Sequence, residues 1–233
     1  MLKFGISMRQ FLLACLLCCV IASAFPAASA QPSAQDVIPI AEARSLPEGS
    51  RATIEGSITA PAGDFSSFTF NQGFNLEDGS GGIYVAVDPN LGFNFHELVR
   101  VRGTVQDDGF GLLILAVSDP DGDVDRLPGS NSIDPQPVAT GDVSDDTEGR
   151  LVEVTGVITR PVGDDRPFGF SVFIDDGSGE TQVFIPVSTG VNALLISWLQ
   201  VGQRIRAVGV GGQFLTQFEV LPRFHGDLHK ANN

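Results

Sequence analysis

The chain has 233 residues, of which 28 are acidic and 14 basic, so it carries a net charge of −14 at pH 7. That excess opposes broad attraction to a polyphosphate or an anionic bilayer and leaves only a local basic patch as a route to either. Catalysis is also poorly provided for: there are three histidines, three clustered cysteines, and no local grouping of serine, histidine and acid that would activate a nucleophile, so the sequence reads as no enzyme.

Lys3 and Arg9 precede an apolar run from Phe11 to Ala24, and small residues follow to Ala28-Ser29-Ala30. This order predicts a signal peptide over residues 1–30, removed before Gln31, and a secreted or periplasmic product. The run is shorter than the roughly 20 residues a spanning helix needs, and no second one follows, so no membrane span is expected. A rival reading takes Leu12-Leu13-Ala14-Cys15 for a lipobox, although apolar residues continue beyond the cysteine. Cys15, Cys18 and Cys19 all lie in the removed segment, which leaves the remainder without a thiol or a disulfide. Twelve basic residues then face 28 acidic ones, a net charge of −16.

The next segments read as strands. In ATIEGSITAP (52–61), in Ile83, Val85 and Val87 against Tyr84 and Ala86, and in Val99 and Val101 against Arg100 and Arg102, the apolar period is two. Asp78-Gly79-Ser80-Gly81 supplies turn residues for a hairpin, and Asp88-Pro89-Asn90-Leu91-Gly92 is too broken for a helix. Residues 36–118 form the first predicted domain. Residues 119–137, rich in Asp, Pro and Gly, are expected to be a linker held open by self-repulsion.

Residues 138–228 repeat the first domain. VEVTGVITRP (152–161) answers ATIEGSITAP at an offset of 100, IDDGSGE (174–180) answers LEDGSGG (76–82) at 98, and RIRAVGVG (204–211) answers LVRVRGTV (98–105). Three matches in one order with drifting offsets indicate duplicated domains with different loop lengths. A helix is expected only over Val191 to Leu199, and residues 229–233 are expected to be a tail. Because each repeat holds a complete strand set, each half is expected to fold alone. Five strands with a hairpin between the second and third make this an all-β chain of two tandem five-stranded OB-fold (Greek-key) barrels.

The segments VEVTGVITRP, FIDDGSGETQVFI and VGQRIRAVGVGGQFLTQFEVLP resemble the bacterial OB-fold modules that accompany secreted nucleases and related exported proteins. ATIEGSITAP, NLEDGSGGIYVAV and VRVRGTV are similar to them too. The resemblance implies a binding role, with single-stranded nucleic acid or another oligomer as ligand, since the nuclease activity of that family resides in a separate catalytic domain.

The binding face of such a barrel is made by strands two and three and edged by two loops. Alternation turns Phe173, Phe184 and Gln182 outward in the second copy, with Arg160 and Arg166, diluted by Asp164 and Asp165, in the adjoining loop and Gly211 and Gly212 adding no charge at the other edge. Aromatic rings on neighbouring strands form a platform on which bases or sugars stack, and packing against the other domain is the alternative use of the same rings. Tyr84 is the equivalent outward residue of the first copy, where Asp107 and Asp108 would repel phosphate. The competing function is an interaction or accessory module that docks on an exported protein. Arg100, Arg102, Arg204 and Arg206 are expected to pair with carboxylates across the sheets.

No cofactor is called for, except that Asp119, Asp121, Asp123 and Asp125 alternate in DPDGDVD and could serve as calcium ligands that stiffen the linker. Against this, Gly122 follows the second aspartate and no closing glutamate is present. His225 and His229 could share a metal only if their stretch were helical.

Overall fold

The computed structural model describes residues 36–63 and 71–232. The expected signal peptide, its cleavage point and Cys15 lie outside the described residues.

Strands β1 (Arg51–Ala60), β2 (Phe74–Glu77), β3 (Gly82–Ala86), β4 (Glu97–Asp107) and β5 (Leu113–Ala116) close a barrel in the order β1-β2-β3-β5-β4, with β4 returning to β1. All pairs are antiparallel except β3 with β5, where Tyr84 lies beside Ile114 and Val85 beside Leu115. The alternation seen in sequence sets the faces: Ile54, Leu76, Ile83, Val85, Val99, Val101 and Leu115 fill the core. Arg100 and Arg102 on β4 point outward. A one-turn helix, α1 (Ile40–Arg44), buries Ile40 and Ala43 against that core.

The second barrel repeats the arrangement with β8 (Leu151–Ile158), β10 (Gly169–Asp175), β11 (Glu180–Pro186), β12 (Arg204–Phe214) and β13 (Gln217–Leu221), again closed by a parallel pair, β11 with β13. A short β9 (Gly163–Asp165) folds back on β10. Val152, Val154, Val172, Ile174, Val183, Ile185 and Val220 form its core. Both barrels are OB-folds by strand order and closure.

Three expectations need correction. The segment 119–137 is not an open linker throughout: one helical turn, α2 (Pro120–Asp123), leads into β6 (Val124–Ser130), which pairs with β4, and β7 (Gln136–Pro137) pairs with β8. Its charges are answered across the sheet, Asp125 by Arg102 at 2.8 Å and Arg126 by Glu97, so self-repulsion does not dominate. The chain end is likewise a strand, β14 (Leu228–Lys230), on β12. Each barrel therefore carries a sixth strand on its fourth.

The helix expected over 191–199 is absent; 3₁₀ turns at Val187–Thr189 and Ala193–Leu195 stand there. The side chains of Thr189 and Asn192 accept the backbone N–H groups of Val191 and Leu194, local bonds that compete with a continuous helix. Val191, Ala193 and Leu199 still reach the core, while Leu195 is 80 % exposed.

Candidate binding face on the second barrel

In the first barrel the outer face of β2, β3 and β5 is already occupied by the second barrel. Tyr84 does point outward, but it is only 1 % exposed and packs with Ala60, Leu112 and Ile114 against Val210 and Leu221. Its hydroxyl donates to Asn71 Oδ1 at 2.7 Å. Tyr84 is thus an interdomain packing residue and not a ligand contact, which corrects the sequence expectation.

Polar groups complete this interface. Glu77 Oε2 accepts the Leu151 N–H at 2.7 Å, and Asn75 Nδ2 donates to the Gly149 carbonyl at 2.8 Å. Arg223, buried and forked onto Asp227 at 2.8 Å, donates to the Thr59 carbonyl at 2.8 Å. Glu148 accepts from Arg44 at 3.0 Å and from the Leu113 N–H at 3.1 Å. Burial raises the pKa of Glu148 and pushes that of Glu77 up to about 7, against the lowering effect of their partners.

The equivalent face of the second barrel is only partly covered. Phe173 and Phe184 stand on it, half-buried, with Val172, Ile174, Val183 and Ile185 pointing the other way. Phe173 faces Gln182 across the ladder and Phe184 faces Ser171, so the two rings are diagonal neighbours. Phe184 also leans on the interdomain cluster. Of the two rings, only Phe184 packs against that cluster.

The loop arginines are on this side and both are engaged. Arg160 lies over the Phe173 ring with its guanidinium carbon 3.8 Å from the centroid, and forks onto Glu180 through Nε and Nη2. Arg166 forks onto Asp164 at 2.7 and 2.5 Å and sits 5.9 Å from the centroid of the largely buried Phe170. Its hydrogen bonds hold the Asp164 carboxyl below the usual carboxylate range. Both cations at the edge of this face are therefore already paired with neighbouring acids. Arg100, Arg102 and Arg206 are paired in the same way, with Glu55, Asp125 and Glu153.

One residue of the face escaped the sequence reading. Glu219 alternates with the core residue Val220 on β13 and lies beside Gln182 and opposite Gly212. It is 4 % exposed, and among the described residues its carboxyl has no hydrogen-bond partner. Burial, then the nearby Asp165 carboxyl, push its pKa up to about 8. Asp165 itself accepts from Ser171 Oγ at 2.5 Å. The signal available in sequence was a lone acid in a strand, FEVL, which composition does not separate from an ordinary solvent-facing glutamate.

The aspartates proposed for calcium do not converge. Asp123 pairs with Arg51 at 3.5 Å and Asp125 with Arg102, while Asp119 precedes α2 and Asp121 lies within it. Among the described residues no group of three or more His, Cys, Asp or Glu side chains could hold a metal ion. His225 lies in a 3₁₀ turn and His229 on β14, so the helical spacing that would align them is absent.

No family model matches the chain, and no curated protein does either. Among solved structures the chain is similar to the hypothetical protein ygiW from E. coli, at 21 % identity and TM-score 0.31 over 40 % of this chain and 90 % of that one. Telomere capping protein Ten1 from Saccharomyces pombe matches at 19 % identity and TM-score 0.28, over 40 % of this chain and 81 % of that one. A murine DNA binding protein bound with ds DNA matches at 9 % and TM-score 0.41, covering 78 % of this chain and 97 % of that one. Likeness at these levels decides neither family nor ligand. Among the described residues no helix is long and apolar enough to cross a membrane.

Proposed function

We propose that the chain is an exported, non-enzymatic binding module that engages a segment of a protein partner through the outer face of its second barrel. The observation that carries this reading is the charge state of that face: Arg160 and Arg166 are each forked onto a carboxylate, whereas the acid Glu219 is buried and unpaired. Among the described residues a polyanion would meet no spare cation on that face and would add charge beside Asp164, Asp165 and Glu180, so counterion release would supply little affinity. The first barrel contributes rigidity, since its own face is spent on the second.

Single-stranded nucleic acid is the second reading, and the pairing of Phe173 and Phe184 on adjacent strands is what favours it. It would require Arg160 to leave Glu180 and the Phe173 ring. The two readings separate in one experiment. The protein is titrated with labelled short single-stranded DNA and with basic, neutral and acidic peptides, at low and high salt, beside a Gln182→Arg variant that crowds the face. Peptide binding lost in Gln182→Arg, with no DNA binding at low salt, is the expected result. DNA binding that weakens steeply with salt would overturn the proposal in favour of nucleic acid.

A further inference from the structure

The second barrel's face carries an aromatic ring, a carboxylate, and a guanidinium held between them: Arg160 lies 3.8 Å over Phe173 and forks onto Glu180. Arg166 is on Asp164, and the ring nearest it, Phe170, belongs to the core. A second ring and carboxylate pair on the face is present without its cation. Phe184 on β11 and Glu219 on β13 both point outward, and the parallel register that sets Gln182 beside Glu219 brings the ring to a diagonal position. Opposite Glu219 the Leu221 side chain lies over Gly212, its Cδ1 2.4 Å from where a Cβ would stand. Asp165 adds a second carboxylate near enough to act on Glu219.

We propose that Glu219, Asp165 and the Phe184 ring form a binding position for an arginine side chain of the protein partner. A guanidinium satisfies all three: it forks onto a carboxylate, stacks on an aromatic face, and is more weakly hydrated than an ammonium, so it enters a part-buried site at lower desolvation cost. Burial and the Asp165 carboxyl disfavour the ionised form of Glu219, and a bound cation offsets that cost. This inference rests on the protein-partner reading of the same face and names the group that the face recognises.

The test titrates the protein with the tripeptide amide acetyl-Gly-Arg-Gly and its citrulline analogue, which keeps the shape and loses the charge, followed by NMR. The Arg peptide should shift the amide signals of Gln182, Phe184 and Glu219, and citrulline should not. Because Glu219 must be ionised to take the cation, affinity should rise about tenfold between about pH 7 and pH 9, the range that brackets its pKa of about 8. Glu219→Gln should bind both peptides equally weakly, with no pH dependence. Equal affinity of Glu219→Gln and wild type, or shifts confined to Phe173 and Glu180, would overturn the arginine position. If larger peptides still lose binding in Gln182→Arg, the protein-partner reading survives that result. If no peptide of any kind binds wild type, both fall.

Discussion

The two barrels share a strand order but use the equivalent patch of surface in opposite ways. In the first, Asn75 faces Tyr84 across the ladder and Tyr84 lies beside Ile114. In the second, the same three places are held by Phe173, Gln182 and Glu219. An aromatic and an aliphatic residue on neighbouring strands suit permanent burial under another domain. The amide beside them, Asn75, joins that burial through hydrogen bonds to Thr59 Oγ1 and the Gly149 carbonyl, whereas Phe173 and Gln182 of the second barrel stay half-buried. The duplication has thus produced one face that closes the molecule and one that is only partly covered.

The largest effect should come from a single methyl group where the barrels meet. A Cβ at Gly82 would stand 1.8 Å from the Gly149 carbonyl oxygen, a backbone atom that cannot rotate aside, and Gly149 itself holds φ +76°. Gly82→Ala should cost about 3 kcal/mol or more, read as a fall in the thermal midpoint, since relief requires the barrels to part. A near-wild-type melt would show that the interface is soft. The same interface revises the expectation that each half folds alone. Residues 36–131 expressed by themselves would expose Tyr84, Leu112 and Ile114, and should melt at lower temperature and less cooperatively than the intact protein.

Next in size are the aromatic truncations, which set one face against the other. Tyr84→Ala removes a buried ring and should cost about 3 to 5 kcal/mol. Phe173→Ala lifts a half-buried ring from under an exposed arginine and should cost about 1 kcal/mol, with Phe184→Ala somewhat more because of its interdomain contact. Equal losses at Tyr84 and Phe173 in denaturant melts would erase the distinction between a spent face and a free one.

Acid chemistry sharpens the contrast further. Glu219 has a folded pKa of about 8 against an ordinary value of 4.5, and Glu77 one of about 7. Both are raised, so the folded state holds protons that the unfolded chain releases. Their favourable contribution is complete below about pH 4.5 and is lost as pH climbs through 7 and 8. Replacing Glu219 with Gln removes the ionisation. The variant should match wild type near pH 4 and exceed it by about 1 to 3 kcal/mol near pH 9. A wild-type stability that rises through that window, or a variant gain present equally at pH 4, would show that Glu219 is not the buried acid described here.

The strand pattern was legible because period two is a local property: Val99, Val101, Arg100 and Arg102 each took the predicted side. The repeat disclosed the duplication for the same reason. What sequence could not show was anything decided between segments far apart. Tyr84 and Phe173 look alike as outward aromatics, and only the seating of Val210 and Leu221 buries the first. Asp164 and Asp165 were legible in sequence as acids diluting Arg160 and Arg166, but the pairing of Arg160 with Glu180 on a distant strand was not. The acid-rich segment after the first barrel read as a linker because its composition is that of one. Val124 and Leu127, which face Val101 and Leu98, were enough to make it a strand.

The smallest predicted effect concerns a motif whose meaning was half seen. The two Asp-Gly-Ser turns were read as hairpin loops, and they are, but each also caps the first helical turn of its own barrel. Asp78 accepts the Ile40 N–H at 3.0 Å and Ser80 Oγ the Ala41 N–H at 3.1 Å. Asp176 accepts the Thr140 N–H at 3.2 Å and Ser178 Oγ the Gly141 N–H at 2.8 Å. The N–H groups that open a helical turn have no partner within it, so a carboxylate reaching over from a distant hairpin does the work of an N-cap. The hydrogen bond from Ser178 and the backbone and Thr140 donors beside it hold the Asp176 carboxyl well below its ordinary pKa. A lowered pKa means that the contribution is present above about pH 4 and fades as the acid is protonated at lower pH. Asp78→Ala and Asp176→Ala should each cost about 1 kcal/mol at neutral pH, with less loss at pH 3. Since the two caps are equivalent by duplication, their costs should agree within a few tenths of a kcal/mol, and the double variant should lose the sum. A cost at Asp78 several times that at Asp176 would instead mean that the first cap also braces the interdomain contact, where Arg44 of the same turn reaches Glu148.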